Sequence, residues 1–110
     1  MSELINKIIS VIKLLAQSAS QQLNYLNSIG AIDNVDELAL EFDDVFIVMT
    51  SQSNTFLSEE QKKLICDLNL YLDAMSEEEN EHLWTTNALL NSKEWAEVRR
   101  ISKLCLAALE

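Results

Sequence analysis

The spacing Glu79-x-x-His82 could do chemistry, because residues three apart on a helix lie on the same face. A carboxylate and an imidazole at this spacing supply two ligands to one iron ion in di-iron carboxylate sites, which require a second copy of the pair. His82 is the single histidine of the chain, so no second copy exists. Glu77, Glu78 and Glu81 surround the pair, which is typical of a solvated acidic turn. We therefore expect no metal and no other cofactor.

The two cysteines, Cys66 and Cys105, are the other candidate ligands or nucleophiles. They lack Cys-x-x-Cys spacing and a second histidine, so neither a zinc site nor a redox role is indicated. A Cys66–His82 nucleophile pair would need an activating group that nothing in the sequence supplies. One glycine, Gly30, cannot build a phosphate-binding loop. We expect two buried free thiols in a protein that is not an enzyme.

Carboxylates are the most numerous of the remaining candidate functional groups. The chain has 18 acidic residues and 8 basic residues, which give a net charge of -10. Residues 35–60 hold seven acids and no base, and residues 76–82 hold four acids and no base. Carboxylates at helix starts offset the helix dipole, which accounts for roughly half of this excess. The remaining charge repels nucleic acid and anionic membranes and attracts a basic protein.

The elements that carry these residues are predicted to be helices. The chain has no proline and a single glycine, whereas a β-sandwich or barrel would need many turn residues. Apolar residues recur at helical spacing from Ser2 to Ile29, which predicts one long first helix, or one broken near residues 18–20, ending at Gly30. Capping patterns follow at Asn34 with Glu37, Ser58 with Gln61, Thr85 or Thr86, and Asn91 with Glu94 or Ser92 itself. We predict an all-α fold: one domain over residues 1–110, a compact bundle of four main helices plus a short connecting helix.

The second helix of this bundle has a core face and a mixed outer face. Projection at about 100° per residue turns one set inward: Val35, Leu38, Ala39, Phe42, Val45, Phe46 and Met49. The outer face carries Asp36, Glu37, Glu41, Asp43 and Asp44, with Leu40, Ile47 and Val48 among them. Carboxylates around exposed aliphatic side chains are typical of a protein–protein interface. The alternative is that a neighbouring helix covers Leu40 and Ile47.

The predicted partner-binding surface combines this outer face with the acidic turn. Its residues are Asp36, Glu37, Leu40, Glu41, Asp43, Asp44, Ile47, Glu77, Glu78, Glu81 and Trp84. Trp84 and Trp95 are expected to pack in the core or to hold the short connecting helix against it. In the alternative, Trp84 is partly exposed and contacts a partner. The basic cluster Arg99, Arg100 and Lys103 is expected to pair with the acidic helices. The first residues lack the pattern of a signal peptide and no apolar run is long enough to span a membrane, so we expect a cytoplasmic protein.

Several stretches resemble a known family. They are Leu57-Ser58-Glu59-Glu60-Gln61, Leu72-Asp73-Ala74-Met75-Ser76, Leu83-Trp84-Thr85 and Ser92-Lys93-Glu94-Trp95-Ala96-Glu97-Val98-Arg99. This pattern, over roughly residues 42–109, resembles small helical immunity proteins encoded beside bacterial polymorphic and contact-dependent-inhibition toxins. The resemblance implies a cytoplasmic, non-enzymatic protein that neutralises one cognate toxin domain, commonly a nuclease, by covering its active site.

Two functions follow as hypotheses. The first is an immunity protein that binds a basic toxin nuclease through the acidic surface, as a monomer rather than a homodimer. The second is a helical adaptor or chaperone-like module that binds another basic protein. A carboxylate metal protein comes third.

Overall fold

A computed structural model of the protein describes residues 2–31, 34–51 and 57–110. Within these ranges the chain forms six α-helices, one 3-10 helix and no strand. The α-helices are α1 (Ser2–Ala16), α2 (Ala19–Ser28), α3 (Asp36–Ser51), α4 (Glu59–Met75), α5 (Thr86–Asn91) and α6 (Lys93–Leu109). A 3-10 helix (Glu78–Leu83), hereafter the connecting helix, joins α4 to α5. The all-α prediction is confirmed, and α1, α3, α4 and α6 are its four long helices.

The first helical segment is broken at Ser18, so the prediction of one uninterrupted helix is wrong and the alternative of a break near residues 18–20 is confirmed. The Ser18 side chain accepts a hydrogen bond from the backbone N–H of Gln21, and the Gln21 side chain accepts one from the Ser18 backbone N–H. This reciprocal capping box begins a new helix, so the chain turns between α1 and α2. Gly30 follows α2 with a φ of +76°, as predicted for the residue beyond a helix end.

Gln22 fixes the junction of α1 and α2 from within the core. Its side chain is fully buried, and its amide nitrogen donates to the carbonyl oxygens of Leu14 and Leu15, each at 3.1 Å. The last carbonyls of a helix have no intrahelical donor, so this side chain satisfies them. Its amide oxygen accepts a hydrogen bond from Nε of Arg99 at 3.2 Å, which joins the junction to α6.

Three of the later helices, α4, α5 and α6, begin at predicted caps. Ser58 and Gln61 form a capping box at the start of α4. Thr85 accepts from the Ala88 backbone N–H to begin α5, and Ser92 accepts from the Trp95 backbone N–H to begin α6. At the start of α3, the backbone N–H of Glu37 donates to the carbonyl oxygen of Asn34 at 3.1 Å.

The core lies around α6, which packs against both α1 and α4. Its inward stripe is Trp95, Val98, Ile101 and Cys105, all buried. α3 packs mainly against α1 and only loosely against α4, so α3 and α6 lie diagonally across the bundle. Across the described ranges, no helix has both the length and the apolar character to cross a membrane.

This diagonal arrangement explains why the basic cluster of α6 does not pair with the acidic helices, contrary to the prediction. Arg99 turns inward to Gln22 and to the carbonyl oxygen of Leu89, and burial lowers the pKa of its guanidinium. Arg100 pairs with Glu97 of its own helix at 2.6 Å. Lys103 makes no ion pair with any residue that the structure describes.

Candidate partner-binding groove

The aliphatic side chains on the outer face of α3 are exposed to solvent. Leu40 is 49% exposed, Ile47 55% and Val48 41%, whereas Leu38, Phe42 and Met49 on the opposite face are buried. The loose packing of α4 on α3 leaves this outer face uncovered. The alternative in which a neighbouring helix covers Leu40 and Ile47 is therefore wrong.

A depression lies between α3 and α4, and residues of both helices line it. Phe42 of α3 and Leu72 of α4, both almost fully buried, contribute to its apolar lining, and its volume is about 180 Å³. Asp43 lines it from α3 and Asp73 from α4. It therefore presents one carboxylate from each wall around an apolar centre.

A wider and more open depression adjoins the first, between the start of α3 and the connecting helix. Its volume is about 540 Å³, and its lining includes Asp36 of α3, Glu81 of the connecting helix and Trp84, which directly follows that helix. The two depressions share Ala39, Leu40 and Ser76, so they form one continuous feature. We call it the acidic groove. It brings together acids from the two acidic segments of the sequence: Asp36 and Asp43 from residues 35–60, and Glu81 from residues 76–82.

Among the described residues, no ion pair compensates the charge in the acidic groove. The four charged lining residues are Asp36, Asp43, Asp73 and Glu81, and no basic residue lines either depression. Four ion pairs occur within residues 2–31, 34–51 and 57–110, and none includes an acid of α3 or of the connecting helix. Cations from outside the molecule are therefore attracted to this groove.

Trp84 forms the apolar part of the groove at the connecting helix. Its indole N–H donates to the carbonyl oxygen of Met75 at 2.8 Å, and its ring packs edge-on against Trp95 with centroids 5.4 Å apart. Trp95 is fully buried and donates its own indole N–H to the carbonyl oxygen of Leu83 at 2.7 Å. Trp84 is thus held by a rigid core neighbour while part of its ring remains accessible.

Two of the predicted surface acids lie on the other edge of α3. Glu41 accepts a hydrogen bond of 2.5 Å from the hydroxyl of Tyr25, which ties α3 to α2. This hydrogen bond, with burial and the nearby charges of Glu41 and Glu37, raises the pKa of Tyr25 to about 12. Neither Glu37 nor Glu41 lines the acidic groove.

The other predicted residues are exposed but lie beside the groove. Asp44, Ile47, Glu77 and Glu78 are all on the surface, and none lines either depression. Glu77 precedes the connecting helix without making a side-chain cap.

Sequence reasoning missed Asp73 as a groove residue. The segment from residue 61 to residue 75 is electrically neutral, so counting charge by segment concealed it. A helical projection of α4 could have identified Asp73, because it lies four residues from Asn69 and the two side chains therefore share one edge of the helix.

No group of three or more His, Cys, Asp or Glu side chains is placed to hold a metal ion in the part of the chain that the structure describes. Both cysteines are free: Cys105 is buried, and burial with the nearby Asp67 raises its pKa to about 11. Cys66 is exposed, so the expectation of two buried thiols is wrong for this residue. It lies one position beyond Ile65, outside the buried stripe of α4.

Comparison of the chain with family models, with curated proteins and with solved structures finds no match in any of the three.

Proposed function

We propose that this protein is an immunity protein that binds and neutralises a cognate toxin domain, a basic nuclease, by covering its active site. It acts in the cytoplasm, as a monomer, without catalysis and without a cofactor. The observation that carries the proposal is the acidic groove, in which carboxylates from α3, α4 and the connecting helix surround accessible Leu40 and Trp84.

The charge of the groove fits such a partner. A nuclease must hold the phosphates of its substrate, so its active-site cleft is basic. Opposite fields speed the encounter of the two proteins, and a capture of this kind weakens as ionic strength rises. The apolar residues beside the carboxylates supply the contact area that excludes water from an interface. The helix and cap pattern that resembles bacterial immunity proteins supports the same function.

The experiment is neutralisation of the toxin domain encoded by the neighbouring gene. Cells that express the toxin domain alone should stop growing, and co-expression of this protein should restore growth. The test variant carries Asp36→Lys with Glu81→Lys, which reverses charge in the groove. The matched control carries Glu59→Lys with Glu60→Lys, which makes the same change in net charge on the exposed start of α4.

The first pair should abolish rescue and the second should retain it. Absence of binding and rescue by the unmodified protein would refute the immunity function. Binding to the toxin domain or to another basic protein without rescue would instead support the adaptor or chaperone-like function.

A further inference from the structure

The carboxylates of the acidic groove are arranged as two pairs. Asp36 and Glu81 line the wide depression, and Asp43 and Asp73 line the narrow one. Leu40 lies between the pairs and contributes to both depressions. The groove therefore has an anionic end, an apolar middle and a second anionic end.

The spacing of the two ends follows from α3. Asp36 and Asp43 are seven residues apart, which is close to two helical turns, so they lie on the same edge of the helix about 10 Å apart. Leu40 lies on that edge between them. A partner that neutralises both ends must place two cationic groups about 10 Å apart on one side of its own backbone.

This spacing distinguishes between backbone conformations of the partner. In an extended strand, residues three apart span about 10 Å but point to opposite faces. In an α-helix, residues seven apart span about 10 Å on the same face, with residues three or four positions along between them. A helix can therefore fill all three parts of the groove at once, whereas an extended strand cannot.

We propose that the acidic groove binds a basic amphipathic helix of its partner, with Arg or Lys at two positions seven apart and an apolar side chain midway. One cation lies between Asp36 and Glu81, the other lies between Asp43 and Asp73, and the apolar side chain contacts Leu40. This inference rests on the proposed function, because the helix that binds the groove is assigned to the neutralised toxin domain.

Synthetic helical peptides of about 18 residues test the groove directly. The matching peptide carries two arginines seven positions apart with a leucine midway, on an uncharged Ala/Gln background. The control peptide has the same composition with the arginines five positions apart, which places them on different faces of a helix. Binding is followed at low ionic strength by calorimetry and by the fluorescence of Trp84, which lines the groove, over the background of buried Trp95.

Neutral substitutions then locate the contact. An exposed ion pair contributes up to about 1 kcal/mol, so Asp43→Asn should weaken binding of the matching peptide by about two- to fivefold, and Asp43→Asn with Asp73→Asn by about four- to twenty-five-fold. Asp44→Asn removes the same charge from the adjacent exposed position outside the groove and should change affinity less than twofold. Leu40→Ala should weaken binding, while Ile47→Ala should not. Far-UV circular dichroism of each variant verifies that the helices remain.

Equal affinity for the two peptides, or equal effects of Asp43→Asn and Asp44→Asn, would overturn the groove proposal. The same variants, tested for rescue from the toxin domain, separate the two proposals. An affinity for the toxin domain that is unchanged by Asp43→Asn with Asp73→Asn, while cells are still rescued, refutes the groove but leaves the immunity function intact. Selective peptide binding by a protein that never rescues cells refutes the immunity function but leaves the groove intact.

Discussion

Replacement of Gln22 by leucine should strongly destabilise this protein, because the Gln22 side chain is fully buried and makes three hydrogen bonds. Leucine fills a similar volume but can neither donate nor accept a hydrogen bond. The Leu15 carbonyl oxygen then loses the one donor that reaches it in the part of the chain that the structure describes. The Leu14 carbonyl oxygen still accepts a hydrogen bond from the backbone N–H of Gln17 at 3.3 Å, and the Arg99 guanidinium still donates to the Leu89 carbonyl oxygen.

The cost follows from these losses. A buried carbonyl without a partner costs about 1–3 kcal/mol, and loss of the hydrogen bond to the Arg99 guanidinium costs about 1.5–3 kcal/mol. We expect the free energy of unfolding to fall by about 4 kcal/mol, a large part of the roughly 5–15 kcal/mol of a typical domain. Urea unfolding followed by far-UV circular dichroism measures this as a lower midpoint at unchanged slope.

Gln17→Leu is the matched control, because Gln17 is exposed and its side chain makes no hydrogen bond with any residue in the described ranges. It should change stability by less than about 0.5 kcal/mol. A loss below about 1 kcal/mol for Gln22→Leu would refute the assignment of Gln22 as the group that satisfies the end of α1.

Three further outcomes follow from the structure. The pKa of Tyr25 lies near 12 in the folded protein and about 10 in the unfolded chain, so the stabilisation that it provides is complete below pH 10 and is lost as the pH rises through 12. Absorbance titration at 295 nm should show this ionisation at lower pH in Glu41→Gln, and an unchanged titration would contradict the Tyr25–Glu41 hydrogen bond. In thiol labelling near neutral pH, Cys66 should react rapidly and Cys105 only after unfolding, so a rapid phase that survives Cys66→Ser would show that Cys105 is accessible. Gly30→Ala should lower the free energy of unfolding in urea by about 1 kcal/mol, because a φ of +76° is unfavourable for a residue with a Cβ, although a Cβ at this position would meet no atom within 4 Å. A loss above about 3 kcal/mol would mean that the added Cβ clashes with a neighbour.

Features that depend on residues close together in the chain were predictable. The absence of proline and the recurrence of apolar residues at helical spacing predicted the all-α fold. The projection of α3 correctly placed Leu40 and Ile47 on the outer face, and Ser58 with Gln61 correctly marked the start of α4. These predictions succeeded because helical phase and capping hydrogen bonds act over three or four residues.

Tertiary structure decided how distant segments meet. Serine at position 18 permitted a break, but the contact of Gln22 with the end of α1 and with Arg99, 77 residues further on, belongs to the packed molecule. The same holds for the candidate site. The amino-acid sequence alone showed that acids are concentrated in two segments without bases, whereas the packing of α3 beside α4 and the connecting helix brought Asp36, Asp43, Asp73 and Glu81 into one groove. The physical reason is that a side chain's outward direction depends on local helical phase, while what lies opposite it depends on how the helices pack.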